Sequence, residues 1–226
     1  MISIKRWTGG AVIHSGDFAS VKECLEDGVR KGICFDYAEL NDVELNDVEL
    51  NYAKLNYVKL NRVRLNNAEL NDAELNNAEL NDAELNRAEF RGVQLNGAQL
   101  NNVEFNGARL NYAEFNNVEF NNVEFNGAWL NAAQLNYAKL NDVELNGARL
   151  WRTTGNNKQI KNINNLRWPI TYTKDTMQIG CERHLISEWE GFTDKRIDSM
   201  DEEALEFWKE HKQMIFNTIE ESPAEE

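Results

Sequence analysis

The sequence predicts a mainly β protein organised around a closed solenoid, and three observations carry that reading. From Leu40 to Leu150 every fifth residue is Leu or Phe, 23 positions without a gap. Ala or Val stands two residues before each of them, from Ala38 to Ala148. Asn follows the Leu/Phe in 21 of the 22 units from Leu40 to Leu145, Arg91 being the exception. The next residue is Asp, Asn, Gly, Tyr or Arg in nearly every unit, mostly turn formers.

An α-helix cannot use this pattern. At ~100° per residue a five-residue step rotates the apolar position by ~140°, so no stripe forms. Asn in every unit is a weak helix former, and a heptad seam is absent. Plain strand alternation fails as well, because the apolar spacing runs 2, 3, 2, 3. Ala/Val and Leu/Phe, two apart, point to one side as in a strand. The chain then bends at the polar pair and repeats, enclosing a small and a large apolar layer. Phe35, with Ile33 at the same offset, reads as a less regular opening unit.

These residues resemble the pentapeptide-repeat family, whose pattern is Ala, Asp/Asn, Leu/Phe and two variable residues. The resemblance covers about residues 33–151 and implies a right-handed quadrilateral parallel β-helix with four pentads per coil. That makes about six coils, ~29 Å at ~4.8 Å per rung. Glu replaces the usual Asp or Asn, and Asn the usual Ser, Thr or Arg, both at outward positions.

A solenoid needs its open ends covered. Residues 1–32 are expected to form one cap: strands Ile4–Trp7 and Ala11–Ser15 around Thr8-Gly9-Gly10, then a helix opened by Ser20-Val21-Lys22-Glu23 and stopped at Gly32. Val21, Leu25 and Val29 share its apolar side. Residues 152–226 form the other end, with Arg152–Asn165 irregular and a hairpin of Ile170–Thr173 with Met177–Ile179. A helix opens at Ser199-Met200-Asp201-Glu202 and runs to about Glu220 with Ala204, Leu205, Trp208, Ile215 and Ile219 buried. Ser222–Glu226 is a frayed acidic tail. These flanks resemble those of bacterial and tailed-phage pentapeptide-repeat proteins.

Composition narrows the function. The 226 residues carry a net charge of −14, which argues against broad contact with nucleic acid phosphates. No apolar run approaches the ~20 residues of a membrane span, and Met1–Trp7 lacks a secretory apolar core. Three scattered cysteines, Cys24, Cys34 and Cys181, fit no disulfide framework, so a reducing cytoplasm is the expected address. Cys24 and Cys34 read as small buried apolar residues. No phosphate loop, nucleophile elbow or zinc-protease motif occurs. The densest reactive group is Cys181-Glu182-Arg183-His184, and Glu188 and His211 are candidates to fold near it. It is short of the four ligands of a closed metal site. No catalytic residue, metal or cofactor is expected, and the chain reads as non-enzymatic.

Folded on a twenty-residue coil, outward residues 20 apart stack. One column then holds Glu44, Arg64, Glu84, Glu104, Glu124 and Glu144. Beside it run Asp42, Arg62, Asp82, Asn102, Asn122 and Asp142. The result is a stripe of eight acids, Asp42, Glu44, Asp82, Glu84, Glu104, Glu124, Asp142 and Glu144, broken by Arg62 and Arg64. Where both columns are acidic the spacing is one charge per ~2.4 Å, against ~1.7 Å for B-DNA. Stacked Asn columns are expected to hydrogen-bond amide to amide. Trp129 falls between Arg109 and Arg149 for a cation–π sandwich.

Two functional readings follow. In the first, the stripe imitates DNA and occupies the basic groove of a DNA-handling protein; the resemblance implies a gyrase-type target, since the family includes fluoroquinolone-resistance proteins that bind DNA gyrase. In the second, the chain is an assembly scaffold, a homodimer through a C-terminal surface of Trp168, Trp189, Phe207 and Trp208, and its acid serves solubility.

Overall fold

A computed structural model describes residues 1–225. The chain divides into two compact units, Met1–Arg149 and Leu150–Glu226.

The first unit is a parallel β-helix with a twenty-residue lap. Parallel bridges join residues 20 apart from Glu39↔Lys59 through Trp129↔Arg149. Longer stretches form β3 (Gln99–Asn101), β4 (Glu119–Glu124) and β5 (Lys139–Glu144), paired in the same register. Rungs are stitched by backbone bonds such as Leu65 N to Glu84 O (2.8 Å) and Lys59 N to Ala38 O (3.0 Å).

Between strands each pentad makes a β-turn, as where Val48 N donates to Leu45 O (3.3 Å). Its third residue takes a positive φ, 56° at Asp47 and 67° at Gly107. That requirement explains the Asp, Asn and Gly in this column. Tyr52, Tyr112, Arg62 and Arg87 adopt the same conformation, so the rung hydrogen bonds outweigh their local preference.

The Leu/Phe and Ala/Val side chains fill the interior as the spacing requires, most of them under 3 % exposed. Val43, Val143 and Leu145 are half-buried. All three lie on the first or last rung of one face, where one stacking neighbour is missing. Phe90, Phe105, Phe115, Phe120 and Phe125 form an aromatic cluster inside, with Phe105 stacked on Phe125 at 5.1 Å between ring centres.

The N-terminal segment closes the first lap. Strands β1 (Ile2–Lys5) and β2 (Val12–Gly16) pair antiparallel, two residues nearer the N-terminus for β1 than expected. The reason is that Arg6 and Trp7 join the first coil instead: Arg6 bridges Ala38, and Trp7 N donates to Tyr37 O (3.0 Å). Glu39 N donates to Lys5 O (2.9 Å), so a strand edge that would attract other chains is occupied. Helix α1 (Val21–Arg30) starts at Ser20, whose hydroxyl accepts from Glu23 N (3.1 Å). Glu23 reaches back one residue further than a simple capping box, to Ala19 N (2.9 Å). At the other end Ile33 N donates to Gly28 O (2.9 Å), with Gly32 at φ 71°. Cys24 is buried as expected, whereas Cys34 is only half-buried.

The second unit is a four-stranded antiparallel sheet in sequential order, β6 (Lys161–Ile163), β7 (Ile170–Tyr172), β8 (Thr176–Ile179) and β9 (Glu182–Leu185). Helices α2 (Ile186–Gly191), α3 (Asp194–Asp198) and α4 (Ala204–Glu221) follow. The expected central hairpin is present. Strand β6 corrects the irregular reading of Arg152–Asn165: short and polar, it is held by pairing with β7, not by its own residues. Ser199 does not open the last helix. Its hydroxyl donates to Arg196 O (2.7 Å) at the end of α3, and α4 begins five residues later. The acidic tail is not frayed through Glu225: Tyr172 Oη donates to Ser222 O (2.9 Å) and Glu225 N to Lys158 O (3.1 Å). Glu226 lies outside the described residues.

Candidate partner-binding face

The acidic column forms because strand residues one lap apart lie side by side. Bridges run Glu44↔Arg64, Arg64↔Glu84, Glu84↔Glu104, Glu104↔Glu124 and Glu124↔Glu144. Each of these side chains leaves the strand outward, since its neighbours on either side are core residues.

Ordered donors hold the carboxylates. Asn66 Nδ2 donates to Glu84 Oε2 (3.0 Å), Asn86 to Glu104 (2.8 Å), Asn106 to Glu124 (2.7 Å) and Asn126 to Glu144 (2.8 Å). The same asparagines accept through Oδ1 from the backbone of the next lap, as where Asn86 N donates to Asn66 Oδ1 (3.0 Å). Elsewhere the expected amide ladders occur: Asn96 Nδ2 to Asn76 Oδ1 (3.1 Å), Asn116 to Asn96 (2.9 Å) and Asn136 to Asn116 (2.8 Å). The amide-to-carboxylate bond is not confined to this column: Asn51 donates to Glu69 (2.9 Å), Asn56 to Glu74 (2.9 Å) and Asn61 to Glu79 (3.0 Å), and Asn96 also reaches Glu114 (2.9 Å), each a charge-assisted bond. The sequence pattern alone does not single out these donors. Their signal was a fixed offset of 18 residues from Asn to Glu, visible only once the lap is known.

The arginines reshape the N-terminal half of the stripe. Arg62 grips Asp42 with two bonds, Nε to Oδ1 (2.6 Å) and Nη2 to Oδ2 (2.7 Å), and holds that carboxyl below the usual range. Arg64 joins Glu44 (2.7 Å) and Glu84 (3.6 Å). In the second column Asn102 Nδ2 donates to Asp82 Oδ1 (2.8 Å) and Asn122 Nδ2 to Asn102 Oδ1 (3.1 Å). The carboxylates without an arginine at hand are therefore Glu104, Glu124, Asp142 and Glu144; Glu84 is shared with Arg64, and Asp82 stands one rung from Arg62 and acts on its charge.

Trp129 lies between its arginines as predicted, with Arg149 4.2 Å and Arg109 5.5 Å from the ring centre.

The C-terminal aromatics do not form a free surface. Trp189 (2 % exposed), Phe207 (7 %) and Trp208 (4 %) are core residues of the second unit, and only Trp168 keeps partial exposure against that core. Their helices pack onto the sheet, so the proposed dimer surface is corrected to an interior. Trp189 Nε1 donates to Met177 O (2.9 Å), which satisfies its polar edge.

The reactive cluster is built as packing. His184 bonds Glu182 (3.0 Å) and meets Trp189 and Phe192 edge-on, at 5.3 and 4.9 Å. His211 is turned to Glu210 and Phe207. Cys181 is exposed. Among the described residues no three His, Cys, Asp or Glu are grouped as for a metal ion. Among them, too, no helix is long and apolar enough to cross a membrane.

Residues 35–134 match the family model for pentapeptide repeats (9 copies). Similar solved structures include a pentapeptide repeat protein (Rfr23) from the cyanobacterium Cyanothece 51142, 27 % identical over 42 % of this chain and 63 % of that one, with a TM-score of 0.29. Another is a pentapeptide repeat protein of the Arabidopsis thaliana thylakoid lumen, 23 % identical over 46 % and 69 %, TM-score 0.34. A third is QnrB1, a plasmid-mediated fluoroquinolone resistance protein, 14 % identical over 53 % and 66 %, TM-score 0.34. The chain thus spans less than two thirds of the first of these relatives. A search of curated proteins returned no match. The unbroken pentad register and the family match together show residues 35–134 to be a run of pentapeptide repeats wound as a parallel β-helix.

Proposed function

We propose that the chain is a non-enzymatic binding protein whose acidic face occupies the basic DNA groove of a DNA-handling enzyme, with a gyrase-type topoisomerase as the target class. The observation that carries this reading is the line of Glu84, Glu104, Glu124 and Glu144, in register and each anchored by an asparagine. With Asp82 and Asp142 it places six carboxylates over four rungs. At ~4.8 Å per rung that is one charge per ~3 Å, close to the ~3.4 Å between phosphates along one DNA strand. Fixed carboxylates need no ordering on binding, which favours affinity. On this reading the repeat is a quadrilateral β-helix of about six coils, with residues 1–32 as its N-terminal cap and 152–226 as a separate C-terminal region.

The test is competition. The full chain is titrated against purified gyrase carrying labelled duplex DNA, at about 50 and 200 mM salt. Displacement of the duplex should weaken by tenfold or more at the higher salt, and the triple variant Glu84→Lys, Glu104→Lys, Glu124→Lys should not displace it. Salt-independent displacement, or full displacement by the triple variant, would overturn the reading.

A further inference from the structure

A different column of the β-helix is polarised along the axis. It reads Glu49, Glu69, Glu89, Arg109, Trp129, Arg149, bridged rung to rung in that order. Three acids are followed by an arginine–tryptophan–arginine stack, and Glu89 meets Arg109 at the junction (2.9 Å). Such a column is its own complement. Turned about a two-fold axis that lies in the face, runs along the strands at right angles to the helix axis and passes between Glu89 and Arg109, it sets Glu89 against Arg109 of a second copy. The same rotation sets Glu69 against Trp129 and Glu49 against Arg149.

The corners flanking this face match under the same rotation. On the preceding corner, Arg87 falls opposite Gly107, and Asn67 opposite Gly127. Gly107 and Gly127 are exposed, and a side chain there would meet at most the stem of Arg87 or nothing. On the following corner, Tyr112, 56 % exposed, falls opposite Gly92, and Asp72 opposite Ala132. Over the four central rungs each projecting residue thus faces a small one, while at the outermost rung Tyr52 falls opposite Arg152, both exposed. Over those central rungs charge and size agree on one axis.

We propose that this face is a self-association surface joining two copies antiparallel. At its centre Glu89, Arg109 and their two counterparts alternate in sign around the axis. The arginine stack on Trp129 holds its guanidinium groups in place for the partner's carboxylates. The footprint is small: about six rungs of ~4.8 Å by roughly 16 Å of strand is on the order of 450 Å² per copy. That is below a standard interface, so the dimer is weak and concentration-dependent. This surface is distinct from the acidic column of Glu84–Glu144, and the two proposals fail independently.

The experiment is sedimentation velocity on the full chain from about 10 μM to 1 mM in 0.1 M salt, where the mutual repulsion of two chains of charge −14 is screened beyond ~10 Å. The wild-type chain should pass from monomer to dimer over this range. Arg109→Glu and Glu89→Arg, each alone, place like charges at both central contacts and should weaken association about 100-fold or more. A 1:1 mixture of the two variants restores opposite charges at both contacts and should dimerise again. So should the double variant Glu89→Arg/Arg109→Glu, which also keeps the pair within one chain. A wild-type chain that stays monomeric, single variants that associate like wild type, or a mixture that fails to recover would each overturn the proposal.

Discussion

Arg64 is where the acidic column gives up continuity for stability, and replacing it separates the two effects. Its guanidinium, 52 % exposed, reaches Glu44 at 2.7 Å and Glu84 at 3.6 Å. Exposed pairs of this kind contribute about 0.2–1 kcal/mol each. Arg64→Gln should therefore cost roughly 0.5–2 kcal/mol. Arg64→Glu loses the same pairs and adds two like-charge contacts at the ~4.8 Å rung spacing. Each repulsion is about 0.9 kcal/mol in a water-like dielectric before screening, so the pair adds about 1.5 kcal/mol at 10 mM salt. With a screening length of ~10 Å at 0.1 M and ~3 Å at 1 M, the added cost falls to about 1 kcal/mol and then a few tenths. Urea unfolding of wild type, Gln and Glu variants at 10 mM, 0.1 M and 1 M salt gives the comparison directly. The Glu–Gln difference should shrink with salt while the Gln–wild-type difference changes less. A Glu–Gln difference that is zero at low salt, or constant across the series, would mean that residue 64 does not lie one rung from Glu44 and Glu84. In the competition assay the Glu variant, with an unbroken acidic column, should displace duplex DNA more strongly than wild type.

Phe105 is fully buried against Phe90, Phe115 and Phe125, so Phe105→Ala should destabilise the first unit by about 3–5 kcal/mol in urea unfolding; a loss under about 1 kcal/mol would refute the stacked core. Asp27 accepts from Lys31 (2.7 Å) and His14 (2.7 Å), and these partners hold its carboxyl below the usual range. Because its folded value is depressed, the carboxylate stabilises the fold above the unfolded value of ~3.9 and that contribution is lost as pH falls through the folded value. Asp27→Asn should therefore be less stable than wild type at pH 7 and converge on it once pH has fallen below the depressed folded value, followed by thermal unfolding across pH; a difference independent of pH would contradict the assignment.

Much of the first unit is legible in its sequence because each rung repeats the same demand. The side chain that must face inward is Leu or Phe every time, and the turn residue that must take positive φ is Asp, Asn or Gly in most units. The Trp129 sandwich followed from lap length alone. What was not legible depends on contacts between unlike segments. Lys161–Ile163 has no strand pattern of its own and becomes one only against β7. Trp189, Phe207 and Trp208 have the composition of an interface and of a core equally, and only the packing of α2 and α4 on the sheet makes them interior. In the candidate site the acids were readable as a column, but Asn66, Asn86, Asn106 and Asn126 were not. A Glu 18 residues on marks a candidate donor but does not decide it, since Asn101, with Glu119 at that offset, donates to Asn81 in the ladder instead.

The register beneath the whole account can be measured with a pair of spin labels. Cysteines placed at Glu84 and Glu144, in a chain whose Cys24, Cys34 and Cys181 have been replaced, lie three rungs apart on one face. Pulsed dipolar spectroscopy should give a narrow distribution near ~15 Å, broadened by the label arms. A pair at Glu84 and Glu124 should be shorter by one rung, ~5 Å. A broad distribution, or one in which the 84–124 distance exceeds that of 84–144, would contradict a twenty-residue lap.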